Sequence, residues 1–114
     1  MSDRPELLDY LVFFESEPEI LYPGTGWYCG SKFVSNRGDD HIVAVVAPDE
    51  GEFAFQWWQN DLLRADFNIA KVIEWNLECS SKREILFLKF GQDGNGFFSL
   101  QLKPTISVSW ISPW

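Results

Sequence analysis

Asp39, Asp40 and His41 are the one place in the chain where carboxylates stand directly beside a histidine. Such a group can take up a proton as a general base or offer ligands to a metal ion. His41 is the sole histidine, so a site built from several imidazoles is excluded. Gly38-Asp39-Asp40 is also ordinary turn chemistry ahead of an apolar strand, and that reading accounts for the same residues. The other chemical patterns are incomplete. Gly24, Gly26 and Gly30 lack the Lys-Ser/Thr ending of a phosphate loop and the strand-to-helix setting of a dinucleotide fingerprint. Gly91 to Gly96 holds a single carboxylate, Asp93, and no bidentate Glu at the far end, which fits a hairpin connection better than a calcium loop. The serines include no G-x-S-x-G elbow. Cys29 and Cys79 belong to no C-x-x-C pair and are expected to be free thiols in a reducing compartment. No catalytic residue, metal ligand or cofactor is assigned, and the chain reads as a non-enzyme.

Two features fit binding better than chemistry. Glu15, Glu17 and Glu19 alternate with Phe14, Ser16 and Pro18, so an extended segment would line three carboxylates along one side. Asp39, Asp40, Asp49, Glu50 and Glu52 could join them in one acidic surface, the bland alternative being scattered solvated charge. Trp57 and Trp58 are adjacent, so in a strand they point to opposite faces and a one-sided core takes only one of them. If Trp57 sides with Phe53 and Phe55, Trp58 faces outward beside acids, the composition of a protein-binding hot spot, and cover by the N-terminal segment would account for it equally well. Trp27, Tyr28, Trp110 and Trp114 add to an aromatic excess near loops and ends.

The charge is uneven. Residues 1–52 carry eleven acids against Arg4, Lys32 and Arg37, whereas residues 53–114 are balanced, so the whole net charge of −8 lies in the first half. Such a field repels phosphate backbones and anionic lipid and steers basic partners inward. Direct nucleic-acid and membrane binding are therefore not expected. The opening MSDRPELLDYLVFF lacks the basic region, apolar run and cleavage site of a signal peptide, and no stretch reaches the roughly 18 apolar residues of a membrane span. A cytoplasmic location is expected.

At 114 residues, 46% of them hydrophobic, the chain is sized for a single domain with one core. Asp3 and Glu6 stand at capping-box spacing around Pro5, and Leu7, Leu8, Leu11, Val12 and Phe14 cover one helical face. A short N-terminal helix is the reading taken over residues 3–14, with a strand from Leu8 to Glu17 as its competitor. Trp27–Val34 is a candidate strand. Ile42–Ala47 is a continuous apolar run with three valines and an isoleucine that fits a central strand buried on both faces. Pro48-Asp49-Glu50-Gly51 then turns the chain into a second arm through Phe53, Phe55 and Trp57. Gln59–Asp66 reads as a loop or single helical turn. Residues 67–78 read as a strand presenting Phe67, Ile69, Ile73, Trp75 and Leu77 on one face, although a helix also fits part of that window. Glu84–Phe90, Phe97–Lys103 and Thr105–Ile111 form a three-strand meander. The fold expected is mainly β with some helix (α+β): a twisted antiparallel meander sheet of about 5–7 strands, curled into a partial barrel or covered by the helix.

Small size, acidity and no complete catalytic motif are shared by immunity proteins that neutralise bacterial toxins and by phage-encoded inhibitors of nucleic-acid sites. The likeness is one of composition. It implies an inhibitor or adaptor that docks its acidic and aromatic face on a basic protein, such as a toxin or a nucleic-acid-binding enzyme. The main alternative is a curved sheet whose Phe and Trp residues line a pocket for a small ligand. An enzyme built on His41 is a third, and an exposed edge strand would also permit a homodimer.

Overall fold

The computed structural model describes residues 4–80 and 82–113, which form one short helix and nine strands. Asp3 and Trp114 lie outside the described residues. Helix α1 (Leu7–Phe14) starts where the Glu6 backbone N–H donates to the Asp9 carboxylate at 2.7 Å. It ends at Glu15, whose left-handed backbone (φ 54°) turns the chain away. Tyr10, Phe13 and Phe14 are its fully buried residues.

The strands are β1 (Glu19–Ile20), β2 (Ser31–Arg37), β3 (Asp40–Ala47), β4 (Glu52–Gln59), β5 (Leu62–Ile69), β6 (Val72–Cys79), β7 (Glu84–Phe90), β8 (Gly96–Lys103) and β9 (Ser107–Ile111). All neighbours are antiparallel. They divide into a five-stranded sheet, β1-β2-β3-β4-β5, and a four-stranded sheet, β6-β7-β8-β9. The fold is mostly β with one short helix, as the alternating sequence implies, and the strands form two open sheets with no closed barrel.

The division falls inside the segment that reads as one strand over residues 67–78. Lys71 takes a left-handed backbone (φ 58°), and the chain leaves one sheet at Ile69 to enter the other at Val72. A register irregularity between Val72 and Glu74 then resets the alternation. Trp75 points into the core and Ile73 is left 61% exposed, so Ile73 does not share the face of Phe67 and Ile69.

Three other expectations shift. The segment expected as loop or helical turn after Gln59 is β5, because Asn60 and Asp61 both adopt positive φ (50° and 66°) and close a two-residue hairpin. Side chains that bond their own backbone tolerate that conformation, as type I′ turns require. Trp27–Cys29 is a 3₁₀ turn, and β2 begins only at Ser31. β3 is central, but its buried residues are Ile42, Ala44, Val46 and Ala47, while Val43 and Val45 lie half-buried on the outer face. Pro48–Glu50 forms the expected tight turn, completed by left-handed Gly51.

The core lies between the two sheets and is largely aromatic. Phe53 of β4 meets Phe98 of β8 at 5.6 Å between ring centroids and Trp75 of β6 at 6.4 Å. Phe67 of β5 continues the contact to Phe98 and to Trp110 of β9. At the helix end, Phe14 stacks on Phe33 and touches Phe13, each pair at 4.9 Å. The rings that could have lined a ligand cavity fill one another's space.

Removing one of these rings carries a large cost. Phe53→Ala should lower stability by about 3–5 kcal/mol in urea titrations, whereas Ile73→Ala should change it by no more than about 0.5 kcal/mol. Tyr10 offers the opposite test, since its buried hydroxyl has no hydrogen-bond partner among the described residues and burial pushes its phenol above the ordinary range. Above about pH 10 the unfolded chain loses that proton first. Stability should therefore fall as pH rises. Tyr10→Phe should blunt this alkaline loss and, at neutral pH, be neutral or stabilising by about 1 kcal/mol.

Candidate partner-binding site

Antiparallel pairing of β3 with β4 sets Asp40 opposite Gln59, so the β2–β3 and β4–β5 hairpin tips emerge side by side. The Asn60 N–H donates to the Asp39 carbonyl at 3.1 Å and ties the tips together. Between them lies an open concavity of about 640 Å³ lined by Asn36, Asp39, Asp40, His41, Trp58 and Asp61, among others. Three carboxylates, an imidazole and an indole thus converge there.

Each side chain is placed by its strand. Trp57 turns inward, and its Nε1–H donates to Asp40 Oδ1 at 3.0 Å. The Gln59 side-chain amide donates to the same oxygen at 3.2 Å. Asp40 is thereby fixed between two donors, while Asp39 and Asp61 remain exposed at the tips. Trp58 lies on the outer face beside His41, with ring centroids 5.5 Å apart. His41 Nδ1 lies 2.6 Å from Asn36 Oδ1. An amide oxygen only accepts, so in this contact Nδ1 is the donor.

This end continues across the outer sheet face in antiparallel rows. Asn36, His41, Trp58 and Leu63 form one row. Val34, Val43, Gln56 and Asp66 form the next. Glu19 begins a third row opposite Lys32, followed by Val45, Ala54 and Asn68. The surface is a mild apolar field with acids at its rim.

Of the acids proposed from sequence, only Asp39 and Asp40 join Trp58 here. Asp49, Glu50 and Glu52 lie at the opposite end of the β3–β4 hairpin, about 23 Å away at the rise of an extended strand. Asp49 pairs there with Arg4 at 3.2 Å. Glu52 borders a separate small cleft of about 240 Å³. Glu15, Glu17 and Glu19 do not form one extended row, because Glu15 is the left-handed residue ending α1. Its carboxylate is held by Arg37 at 2.9 Å and Lys103 at 3.3 Å. Glu17 and Glu19 are exposed. Asn36, Asn60 and Asp61 were not singled out from sequence. The signal available for the last two was a pair of turn-forming residues between alternating runs.

Arg37 anchors this architecture. It is mostly buried, donates to the Phe13 and Leu102 carbonyls at 3.2 and 3.3 Å, and so links α1, β2 and β8. Lys103 extends the network to Glu84 at 3.7 Å. Glu15, Arg37 and Lys103, with Asp40, Trp57 and Ile106, border another concavity of about 430 Å³. Among the described residues no three His, Cys, Asp or Glu side chains are placed to hold a metal ion. No helix there is long and apolar enough to cross a membrane. Cys29 and Cys79 are free thiols, and burial with nearby Glu84 and Asp9 pushes the Cys79 thiol up.

No family model matches the sequence, and no curated protein is similar to it. The structure is similar to a chain of the contact-dependent growth inhibition toxin–immunity protein complex from Klebsiella pneumoniae 342. The match has a TM-score of 0.73, covers 96% of each chain and carries 12% sequence identity. The likeness is one of fold. It spans both sheets and the helix, since almost the whole chain is included.

The anchor and the acid it holds should separate in mutagenesis. Arg37→Met removes a mostly buried charge that serves two carbonyls, and should cost about 2–3 kcal/mol in urea titrations. Glu15→Gln alters a half-exposed carboxylate and should cost no more than about 1 kcal/mol.

Proposed function

We propose that this chain is an immunity-type inhibitor that docks the acidic hairpin tips and adjoining outer sheet face on a basic toxin. The observation that carries the reading is the fold it shares, over nearly its full length, with a chain of a toxin–immunity complex. Two features favour the inhibitor over the toxin role. The net charge of −8 sits in the first half of the chain, where it would meet a basic surface and repel a nucleic acid. The concavity also presents carboxylates and an indole beside the sole histidine, a set suited to receiving Lys or Arg side chains. The carboxylates would occupy the place of phosphates, so binding and blockage of a nucleic-acid site would be one event. The chain itself performs no chemistry in this scheme, and its action is stoichiometric and cytoplasmic.

Asp39, Asp61 and Trp58 are the residues assigned to contact, with Asp40 held ready behind them. Asp66, Glu17 and Glu19 supply long-range attraction from the rim. Asp49, Glu50 and Glu52 contribute to the field and stand too far along the sheet to share a compact contact.

The test is capture from an extract of the source cells on immobilised protein, followed by toxicity assays of what is retained. One basic protein should be recovered near equal stoichiometry, released by salt, toxic when expressed alone and harmless when co-expressed with this chain. The double variant Asp39→Lys/Asp61→Lys should lose capture and protection. Glu50→Lys, at the far end, should keep both. A captured protein that is harmless alone, or capture indifferent to the tip charges, would sink the reading.

A further inference from the structure

A sheet edge is a row of unpaired backbone donors and acceptors, and folded proteins blunt it by shortness, charge, bulges or cover. Three of the four edges here are blunted. β1 is two residues long. β5 carries Arg64 and Asp66, and its register with β4 shifts between Trp57 and Trp58, leaving Arg64 as an extra residue. β6 is irregular between Val72 and Glu74, bears Glu74 and Glu78, and has α1 packed against it. Among the described residues β9 shows none of these devices. Ser-Val-Ser-Trp-Ile is uncharged, β-prone and in unbroken register with Phe97–Gln101 of β8. Beyond it, Pro113 packs on Gly91 at the β7–β8 connection, where a Cβ on that glycine would come within 2.8 Å of it.

Ser107, Ser109, Trp110 and Ile111 of β9 are all exposed, and two of them are large and apolar. Trp110 is 56% exposed and Ile111 52%. Phe67 meets the Trp110 ring edge-on at 4.9 Å, so its orientation is set before anything binds. Such a strand is built to accept another strand beside it.

We propose that the occupant is a second copy of this chain, paired antiparallel through β9 about a two-fold axis at Ser109. Electrostatics select it over a basic partner. The four-stranded sheet and its loops balance Glu74, Glu78, Glu84 and Asp93 against Lys82, Arg83, Lys89 and Lys103. This side of the molecule neither attracts a cationic protein nor repels another copy. The sequence is also self-complementary in that register. Val108 falls opposite Trp110 of the second copy, Ser107 opposite its Ile111, and Ser109 opposite itself, each pair sharing a sheet face. The result is a continuous eight-stranded sheet that leaves the acidic tips of both chains free.

Sedimentation equilibrium on the purified full chain tests this without any toxin. The mass should rise from one chain to two with concentration, with little dependence on salt. Ser109→Glu and Ser109→Lys each place like charges directly opposite on the axis, and each variant should remain a single chain while keeping the unfolding midpoint that wild type shows when diluted to a single chain. An equimolar mixture of the two should restore the two-chain species. A wild-type chain that stays single up to near-millimolar concentration overturns the proposal, as does a Ser109→Glu variant that associates like wild type. Failure of the mixture to associate overturns the register. Toxin capture by Ser109→Glu should be unchanged, which separates this surface from the tips.

Discussion

Everything in this molecule depends on the ring of Phe53 meeting the ring of Phe98 between two sheets that share no backbone hydrogen bond in their ladders. Each sheet presents one apolar face, and neither face is stable in water alone. Aromatic side chains suit the gap because they bury large areas with few rotatable bonds and pack edge to face. Phe53, Phe98, Trp75, Phe67 and Trp110 form one run of such contacts. Phe14, Phe33, Tyr10 and Trp27 form a second beneath the helix. Held this way, the five-stranded sheet can leave its other face bare.

That bare face explains how charge and structure separate. Among the described residues the acids of the first half lie on α1, the loops, β1, β3 and β4, while the second sheet with its loops is electrically balanced. Glu15, at the end of the helix, is matched by Arg37 and Lys103. The acids at the hairpin tips have no such cation and keep their field. Arg37 joins the two regimes by spending its donors on carbonyls of α1 and β8 while neutralising Glu15.

Much of this was legible in the residue order. Alternation in Phe97–Lys103 and in Phe53, Phe55 and Trp57 reports a face directly, because side chains in a strand have a period of two. The opposite facing of Trp57 and Trp58 follows from the same rule. What stayed hidden was set by single backbone conformations. Lys71 in a left-handed conformation breaks one apparent strand into two sheets, and a lysine gives little warning of it. Asn60 and Asp61 give better warning, yet the leucines after them are exposed and obscure the pattern of β5. The acidic site was half visible for a related reason. Proximity in sequence grouped Asp39 and Asp40 with Asp49 and Glu50, but an eight-residue strand carries its two ends far apart.

The bond from the Asn60 N–H to the Asp39 carbonyl uses only main-chain atoms. The pairing of the tips therefore does not depend on which side chains decorate Asn36 or Asp39. Nor do those positions touch the ring core. Substitution at Asn36 or Asp39 leaves the interior untouched, so these tip positions can vary while the ring core cannot. Divergence should accumulate first where two hairpins meet water.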